Sequence, residues 1–542
     1  MRRAAVRIGV GLYALLALLV AGSALRTLAS ASHGLVVAHG SVDAIPVTVF
    51  RPAHGTGGPL PVVVIAHGFA GSQQLMQAFA TTLARNGMIA VTFDFPGHGR
   101  HPQPLPGSLQ EHEALLTALL GALDRVVGFA RVLPGSDGRV ALLGHSMASD
   151  LVVRQAQADP AIVATVGVSL VYGGARMVAP RNLLSIYGSI EPDMVQSFGR
   201  RLVAGTDAVG EAAAVVPGRT YGRFDDGSAR RFVLAAGAEH IGVLYHSTSQ
   251  RESLDWMLQA FGRGGAGVPK ASQAPAFIDA RGPAIAGMLA GTVMLAWPLS
   301  MVLGRLVPGR PHAPSLRAAS RARSTSGVPY RRDWLWLTVG PALATPLLLR
   351  LVPSHFLPIL LGDYLLLHFA LYGMLTAGGA AWLALRGRLE MPAPTLPSPA
   401  CAAATLAVVA WSTLAIGLGV DRYVFNLWPA DGRGPLIAAL LVGTLAWAAA
   451  DEWLSRHPQA PRFAYPATKA LFIASLVLAV MLDLSRLFFL VIIIPAILVM
   501  FIAYGLLSRW SFRATGSPWP GALATACAFA WGIAVTFPAI SR

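Results

Sequence analysis

The stretch Val140-Ala141-Leu142-Leu143-Gly144-His145-Ser146-Met147-Ala148 decides how the central part of this chain folds. It is an apolar, strand-like run that leads into a serine with small residues two positions before and after it. This pattern is typical of a nucleophile elbow, a tight strand-to-helix turn that exposes a serine hydroxyl at the end of a strand. The backbone N–H after the serine then points to the bound ligand, so the pattern predicts Ser146 as a nucleophile.

Short apolar runs alternate with helical segments on both sides of this stretch, over residues 36–265. Runs of this length between helices indicate a mostly parallel sheet that is covered by helices on both faces. The predicted strands are 61–66, 89–93, 140–143, 164–171, 183–187 and 232–236. The clearest predicted helices are 72–86 and 111–132.

Four further motifs follow predicted strands. His67-Gly68-Phe69-Ala70-Gly71-Ser72 ends the first strand, and Asp94-Phe95-Pro96-Gly97-His98-Gly99-Arg100 ends the second. Downstream of the serine, Gly188-Ser189-Ile190-Glu191 ends one strand, and Gly237-Ala238-Glu239-His240 follows the last strand. The carboxyl ends of parallel strands lie at one edge of a sheet, where ligands of open α/β sheets bind. The motifs are therefore expected to form one site.

Taken together, these motifs resemble the α/β-hydrolase superfamily, in particular its monoacylglycerol-lipase-like and serine-aminopeptidase-like branch, over residues 45–262. The resemblance implies Ser146 as nucleophile, His240 as general base and Glu191 as acid. It also implies that the backbone amides of Phe69 and Met147 form the oxyanion hole. Glu stands here where the family more often has Asp.

Some positions keep alternatives open. Asp193 is a rival for the acid, and His246 is a rival for the base, at the entrance of a helix that Ser247 is expected to cap. For Asp94, His98 and His145 a structural role is the better interpretation. Ala148 replaces the glycine that the family more often has, where only a small side chain is needed.

The resemblance also bears on access to the serine. Many relatives carry a helical cap before the strand that bears the acid, but only 11 residues separate Val171 from Leu183 here. An insertion is instead expected between Pro192 and Arg230. The serine is then either comparatively open or covered by that insertion or by the membrane part.

The composition places part of the chain in a membrane. Hydrophobic residues make up 54% of its 542 residues, and the mean hydropathy of +0.56 is too high for a soluble protein. The net charge of +16 does not indicate nucleic-acid binding, because residues 31–280 carry 18 basic and 18 acidic residues. Cys401 and Cys527 lie in apolar runs and predict neither a disulfide framework nor a metal cluster.

The sequence predicts four parts. Residues 1–35 form a first membrane helix, with a signal peptide cut near Ala29-Ser30-Ala31 as the alternative. Residues 36–265 form the α/β-hydrolase domain, and residues 266–282 form a Gly-, Pro- and Ala-rich linker. Residues 283–542 form an all-α, polytopic membrane domain of about eight helices.

The charges predict how the chain crosses the membrane. With the N-terminus inside, 17 of the 24 basic residues outside 31–280 fall on the cytoplasmic side, many of them in a loop at 305–332. The positive-inside rule then predicts about nine spans and an extracytoplasmic hydrolase domain in the cytoplasmic membrane of a bacterium. The Arg-rich loop is expected to be disordered and held at the anionic inner leaflet. The apolar segments after the domain are 283–304, 334–352, 357–385, 400–420, 435–454, 468–482, 487–507 and 519–538.

A few ionisable residues interrupt these apolar segments. Asp363, His368, Asp451 and Glu452 are functional candidates by default, because charge is costly in hydrocarbon. Asp363 is expected near the outer surface, and Asp451 and Glu452 near a helix end close to Arg456. An interfacial position is therefore the favoured interpretation, and the absence of an inverted repeat gives a transporter no support.

These observations predict a membrane-anchored serine hydrolase that cleaves carboxylic esters through an acyl-enzyme. Lipid-like esters are favoured because the domain is tethered at a bilayer on both sides. The alternatives are a transport or scaffold protein with an accessory or inactive hydrolase domain, and an acyltransferase that uses the same triad. The expected partners are the ester and membrane lipids. No cofactor, metal or nucleic acid is expected, and the oligomeric state stays open.

Overall fold

The computed structural model describes residues 2–53, 58–106, 112–174, 178–205, 209–262, 276–307, 329–389, 398–430, 432–458 and 460–541. The chain divides into two compact units. The α/β unit contains Gly22–Met288, Val420–Asp431 and Val535–Arg542. The helical unit contains Met1–Ala21, Leu289–Gly419 and Gly432–Ala534.

The α/β unit is built on one mixed sheet. Its strands are β1 Leu35–Val42, β2 Ile45–Pro52, β3 Leu60–Ala66, β4 Ile89–Phe93, β6 Ser136–His145, β7 Ile162–Val168, β8 Leu183–Gly188, β9 Thr220–Tyr221 and β10 Arg230–Ala235. They are arranged in the order β1-β2-β4-β3-β6-β7-β8-β10-β9. The six strands from β4 to β10 in this order are parallel, whereas β1, β2 and β9 pair antiparallel at the two sides. A separate pair joins β5 Leu105–Pro106 to β11 Ile540–Ser541.

Helices cover both faces of the sheet, because alternate residues of each central strand point to opposite faces. Ile65 packs in a core with Phe79 and Trp256, whereas the preceding Val64 packs with Val126 on the other face. The predicted α/β-hydrolase fold is thus confirmed for this unit. The covering helices are α2 Gln77–Arg85, α3 His112–Val132, α4 Met147–Ala158 and α7 Ser247–Ala260.

All six predicted strands are present, with ends that differ by a few residues, but the hairpin of β1 and β2 is missing from the sequence prediction. The outermost strand, β1, has no fully buried residue, so its apolar pattern is weak. Its turn, Asp43-Ala44, has φ values of 47° and 69°. Asn-Gly or Asp-Gly is the usual signal for such a hairpin turn, and this sequence lacks it.

The residues between Pro192 and Arg230, where an insertion is predicted, pack against the sheet in their described part. They form α5 Asp193–Ala204, α6 Val209–Ala213 and β9. Leu202 of α5 shares a core with Tyr187 of β8 and with Phe232 of β10. This segment therefore covers the flank of the sheet next to β8 and β10.

Each of the eight predicted apolar segments after the hydrolase domain contains a helix. The helices are α1 Arg2–Ser30, α8 Arg281–Leu306, α9 Pro329–Leu349, α10 Gly362–Leu385, α11 Pro399–Ala410, α12 Ile416–Tyr423, α13 Arg433–Arg456, α14 Ala464–Leu482, α15 Leu484–Thr515 and α16 Trp519–Thr536. A π-helical turn, Trp411–Ala415, joins α11 to α12, so the two form one continuous helix. By length and composition, eight helices of the described chain could cross a membrane. These are α1, α8, α10, the α11–α12 helix and α13 to α16.

The α9 helix is the one predicted span that is not among these eight. Near its start it carries Arg332 and Asp333, and it also contains Pro341 and Pro346, which makes it less apolar than its neighbours. Most of the predicted linker and most of the Arg-rich loop before α9 lie outside the described residues.

The unit boundaries differ from the predicted domains in two places. The prediction assigns all of residues 283–542 to the membrane domain, but Val420–Asp431 and Val535–Arg542 belong to the α/β unit. Both segments are short, and each begins near the end of a predicted apolar helix, so the sequence gives no sign that it belongs to another unit. Their placement depends on contacts with residues hundreds of positions earlier, which no local pattern shows.

Three of the ionisable residues singled out in the sequence, Asp363, Asp451 and Glu452, are buried and have polar partners. Lys469 forms an ion pair with Asp451, and Arg456 Nε lies 3.1 Å from Glu452 Oε2. Asp363 accepts a hydrogen bond of 3.0 Å from the backbone N–H of Phe356. The predicted proximity of Glu452 and Arg456 is thus present, whereas the pairing with Lys469 was not foreseen.

Candidate active site

Ser146 lies on a sharp turn between β6 and α4. Its φ of 52° and ψ of −118° lie in a region that L-residues rarely adopt, at a cost of about 1–3 kcal/mol. Gly144 makes the turn possible, because a Cβ there would clash with the carbonyl group of Ala148. Ala148 is fully buried, so its methyl group fits where the family more often has glycine. A strained serine at a strand end is the geometry that the elbow pattern predicts.

The three predicted triad residues form a continuous hydrogen-bonded chain. Ser146 Oγ lies 2.9 Å from His240 Nε2, and His240 Nδ1 lies 2.9 Å from Glu191 Oε2. The serine, histidine and glutamate follow β6, β10 and β8, whose carboxyl ends share one edge of the sheet. With Nδ1–H donating to the carboxylate, Nε2 is left to accept the proton of the serine hydroxyl.

Glu191 is buried and held by two more hydrogen bonds. Its Oε1 accepts from Ser169 Oγ at 2.7 Å and from the backbone N–H of Gly188 at 2.8 Å. These donors satisfy a carboxylate that would otherwise be costly to bury. The rival acid Asp193 is exposed at the first residue of α5. Sequence reasoning missed Ser169, although its place directly after β7, next to β8, is a usable signal.

His246, the rival base, caps the N-terminus of α7 instead. Its Nδ1 accepts a hydrogen bond of 3.2 Å from the backbone N–H of Thr248, which makes it the N-cap. The predicted cap, Ser247, is therefore the first helical residue. Gln250 does not close a capping box, because its side-chain amide donates to the carbonyl of Leu244 at 2.6 Å.

The segment Gly68–Ser72, called the β3 loop below, approaches Ser146 closely. A Cβ on Gly68 would lie 3.0 Å from Ser146 Cβ and 2.9 Å from His145 Nδ1, so only glycine permits this approach. Phe69 follows immediately. Met147 is the first residue of α4, where backbone N–H groups have no partner within the helix. Both predicted oxyanion donors are thus beside the serine.

The β3 loop is joined to the segment Asp94–Arg100, called the β4 loop below. His67, which precedes the β3 loop, donates from Nδ1 to the Gly68 carbonyl at 2.8 Å and accepts at Nε2 from the Phe95 N–H at 3.1 Å. This assignment fits a neutral ring, and burial lowers the pKa of His67.

Asp94 connects the same two loops from the other side. Its Oδ1 accepts from the backbone N–H of Gln73 at 2.8 Å, and its Oδ2 accepts from the backbone N–H of Arg100 at 3.1 Å. In the β4 loop, His98 Nδ1 lies 2.9 Å from the carbonyl oxygen of Pro96. Neither Asp94 nor His98 is part of the chain that reaches Ser146, which agrees with a structural role.

His145 supports the residue that carries the base. Its Nε2 lies 3.0 Å from the backbone carbonyl oxygen of His240, and its ring is 5.0 Å from the His240 ring. Burial, followed by the nearby His240, lowers the pKa of His145 to about 3. A neutral His145 that donates to this carbonyl helps to fix the loop of His240.

The serine is covered, whereas two apolar residues close in sequence to the acid are exposed. Ser146 is 7% exposed, so the serine is more covered than an open cleft would leave it. Ile190 and Met194 flank Glu191 and are 64% and 67% exposed. In the described part of the chain, no group of three or more His, Cys, Asp or Glu side chains is placed to hold a metal ion.

Comparison with known protein families finds a match to part of the α/β unit. Residues 57–195 match the family described as serine aminopeptidase, S33. The match includes Ser146 and Glu191 and ends before His240. No curated protein matches the chain. Together with the strand order, the family match supports an α/β-hydrolase domain.

Several solved structures resemble part of the chain. A Klebsiella pneumoniae protein proposed to be a dienelactone hydrolase is 18% identical, with 42% of this chain and 99% of that chain covered and a TM-score of 0.31. The dienelactone hydrolase of Anabaena variabilis is 16% identical, with 42% and 98% covered and a TM-score of 0.30. A Thermus thermophilus protein is 15% identical, with 42% and 98% covered and a TM-score of 0.31.

Proposed function

We propose that this protein is a membrane-anchored serine hydrolase that cleaves carboxylic esters, with Ser146 as nucleophile, His240 as base and Glu191 as acid. The observation that carries the proposal is the hydrogen-bonded chain from Ser146 Oγ through His240 to Glu191, on a strained strand-to-helix turn. Strain of this kind is kept where surrounding structure and function require it.

Acylation follows from this geometry. His240 Nε2 removes the proton from Ser146 Oγ as the oxygen attacks the ester carbonyl, and Glu191 stabilises the imidazolium that forms. The carbonyl oxygen becomes an oxyanion that accepts hydrogen bonds from the backbone amides of Phe69 and Met147. The tetrahedral intermediate collapses, His240 Nε2 gives its proton to the leaving alcohol, and Ser146 is acylated.

Deacylation uses the same groups. His240 Nε2 takes a proton from a water molecule as the water oxygen attacks the acyl carbon. The second tetrahedral intermediate expels Ser146 Oγ, which regains its proton from His240. The products are a carboxylic acid and an alcohol, and the enzyme returns to its starting state.

The order of the helices supports a topology in which the catalytic domain and two later segments lie on the same side of the membrane. Val420–Asp431 and Val535–Arg542 belong to the α/β unit, so an even number of crossings must separate each from the domain. The chain passes α8, α9, α10 and the α11–α12 helix before the first segment, and α13 to α16 before the second. Counting α9 as a span gives four crossings each time. The positive-inside rule makes this common side extracytoplasmic.

This arrangement can be tested with single cysteines in a chain whose Cys401 and Cys527 are replaced by alanine. A cysteine at Ser541 is expected to react with a membrane-impermeant maleimide on intact cells, whereas one at Arg388, after α10, is expected to react only in broken cells. Reaction of both positions on intact cells, or of neither, would contradict nine spans.

The catalytic role has a direct test. Purified full-length protein in detergent is expected to hydrolyse a medium-chain aryl ester, and Ser146→Ala is expected to lower kcat by about 10⁴-fold or more. Ser197→Ala, at an exposed serine on α5, is the matched control and is expected to retain full activity. Equal activity of Ser146→Ala and wild type would overturn the proposal, and transfer of the acyl group to an added alcohol in preference to water would indicate an acyltransferase.

Exposed apolar side chains beside the acid support lipid-like esters as substrates. A polar replacement at Ile190 or Met194 is expected to lower kcat/KM for long-chain esters by about 10-fold relative to short-chain esters, since each buried methylene is worth about 0.8 kcal/mol. Val132→Ser is the control, because Val132 is also an exposed apolar residue, at 80%, but precedes the amino end of β6, at the opposite edge of the sheet. A preference of the wild type for short esters or peptides would exclude lipid-like substrates.

A further inference from the structure

Two segments from the second half of the sequence contact the loops beside Ser146. The first is Val420–Asp431, which precedes α13, and the second is Val535–Arg542, which follows α16. Both belong to the α/β unit. They are called the 420 segment and the tail below. Neither lies within the residues that match the serine aminopeptidase family.

The tail is hydrogen bonded to the β4 loop and to β5. The Ala539 N–H donates to the Gly97 carbonyl at 2.9 Å, and the Leu105 N–H donates to the Ala539 carbonyl at 2.8 Å. Ser541 Oγ donates to the Leu105 carbonyl at 3.1 Å. Gly97 is adapted to this contact, because it has a φ of +75° and a Cβ there would lie 2.5 Å from the Ala539 oxygen.

Phe537 carries the contact from the tail to the β3 loop. Its side chain is buried, at 3% exposed, and its ring packs edge to face against Phe69 with centroids 6.5 Å apart. Phe69 also packs against His98 of the β4 loop, with centroids 6.0 Å apart. Phe69 therefore lies between the tail and the β4 loop, one residue after the glycine that contacts Ser146.

The 420 segment holds the other end of the β3 loop. The Asn426 N–H donates to Ser72 Oγ at 2.8 Å, and Asn426 Oδ1 accepts from Arg100 Nε at 2.9 Å. Asp421 Oδ2 forms an ion pair of 3.0 Å with Arg100. One segment thus connects Ser72 of the β3 loop with the last residue of the β4 loop.

We propose that Phe537 and Asn426 are positioning residues that fix the backbone amide of Phe69 for the oxyanion. This inference rests on the proposed serine-hydrolase function. The β3 loop contains a non-glycine residue in the left-handed region, Ala70 with a φ of 56°, so external contacts must stabilise its conformation. An oxyanion donor acts only when it is fixed before charge develops, and a displacement of about 1 Å can cost about 100-fold in rate. The catalytic rate therefore depends on sequence beyond residue 420.

The main test is the replacement of Phe537 in the full chain. Phe537→Ala is expected to lower kcat for an aryl ester by about 10- to 100-fold, with KM changed by less than about 3-fold. Phe537→Leu, which keeps most of the apolar volume, is expected to recover most of the lost activity. Phe463→Ala, at an exposed phenylalanine of the helical unit, is the control and is expected to behave as wild type.

A second test removes the contact at Ser72. Ser72→Ala deletes the oxygen that accepts from the Asn426 N–H, and it is expected to lower kcat by about 5- to 10-fold, again without a large change in KM. Asn426→Ala, which deletes the acceptor of the Arg100 hydrogen bond, is expected to act in the same direction.

A boronic acid inhibitor separates positioning from general loss of structure. The inhibitor bonds to a serine oxygen and places a boron-bound oxygen in the oxyanion hole, so its affinity is expected to fall in proportion to kcat across these variants. Rates are expressed per active site by titration with a fluorophosphonate, which corrects for unfolded protein.

The outcomes are distinct. A kcat of Phe537→Ala within about twofold of wild type, or a loss explained entirely by fewer titratable sites, overturns the inference while leaving the hydrolase intact. An unreactive wild-type protein contradicts the proposed function itself.

Discussion

The two sides of the candidate site differ in how far apart their residues lie along the chain. The acid–base side consists of Ser146, Glu191 and His240, which follow strands within 95 residues of one another. The oxyanion side consists of the β3 loop, which is held by the 420 segment and the tail, more than 340 residues later. The candidate reacting groups are thus local to the α/β unit, whereas the loop that is expected to stabilise charge is contacted by segments from the part of the sequence that carries most of the candidate membrane helices.

If the proposed positioning role holds, an α/β-hydrolase domain can depend on an attached helical part that supplies none of the reacting groups. The triad is set by strand ends, which a stable sheet fixes to within small distances. A glycine-containing loop is more easily displaced, so contacts such as those of Phe537 and Asn426 have a larger effect there. Variants on the two sides are therefore expected to fail in different ways.

After Ser146 itself, the largest expected effect is on the acid–base side, at Glu191. Glu191→Gln keeps the shape of the side chain but removes the charge that stabilises the His240 imidazolium, and kcat is expected to fall by about 10²- to 10⁴-fold. Asp193→Asn is the matched control at the rival acid and is expected to leave kcat unchanged. Steady-state ester hydrolysis by both variants decides between the two carboxylates, and the reverse order of effects would exchange their roles.

A smaller effect is expected on the oxyanion side from Gly68→Ala. The added Cβ would lie 3.0 Å from Ser146 Cβ, so the β3 loop must move away and carry the Phe69 amide with it. We expect kcat to fall by about 10- to 100-fold. Gly128→Ala in α3, where a Cβ meets nothing within 4 Å, is the control. Full activity of Gly68→Ala would show that the loop is not placed at the oxyanion.

The loss of one hydrogen bond to the acid is expected to matter less. Ser169→Ala removes the donor to Glu191 Oε1 but leaves the Gly188 N–H, so kcat is expected to fall by about 5- to 10-fold. The fall is expected to be absent in a Glu191→Gln background, because the two residues act through the same carboxylate. Equal effects in both backgrounds would argue against coupling through Glu191.

The smallest effect concerns stability and pH at His145. Its pKa falls to about 3 in the folded chain, below its usual value of about 6.5, so only the unfolded chain binds this proton between these pH values. The contribution of His145 to the free energy of unfolding is therefore fully present above about pH 6.5. It decreases by about 1.4 kcal/mol for each pH unit below that value.

This dependence can be measured by the protease resistance of the full chain in detergent during heating at pH 4 to 8. His145→Gln is expected to lose stability less steeply below pH 6.5 than wild type. His67, whose pKa is also lowered by burial, is retained in both proteins and contributes in the same direction. Identical pH profiles would show that His145 is not held neutral by the fold.

Much of the α/β unit could be predicted from the sequence because its signals are local. Buried parallel strands are continuous apolar runs, and Glu191 and His240 lie directly after two of them. The β1–β2 hairpin was not predicted, because β1 is largely exposed and the turn between the two strands is Asp43-Ala44 rather than a turn with glycine. Ser169 was missed because the predicted strand, 164–171, runs past the observed end of β7 at Val168, so this serine was not recognised as a residue at a strand end.

The contacts of the 420 segment and the tail could not be predicted at all. The hydrogen bond from Asn426 to Ser72 joins residues 354 positions apart, and a single sequence contains no signal for such a pair. The same holds for Lys469, whose pairing with Asp451 depends on how α13 and α14 pack. Local patterns predict strands, helices and the residues at their ends, whereas the partners of loops depend on the tertiary fold.

The most direct test of this account is to locate the reactive residue by mass spectrometry. Wild-type protein in detergent is treated with a fluorophosphonate, digested and analysed for the modified peptide. One adduct per chain is expected, on Ser146, and no adduct is expected in His240→Ala under the same conditions. An adduct on another serine, or an unmodified Ser146 in folded wild-type protein, would contradict it.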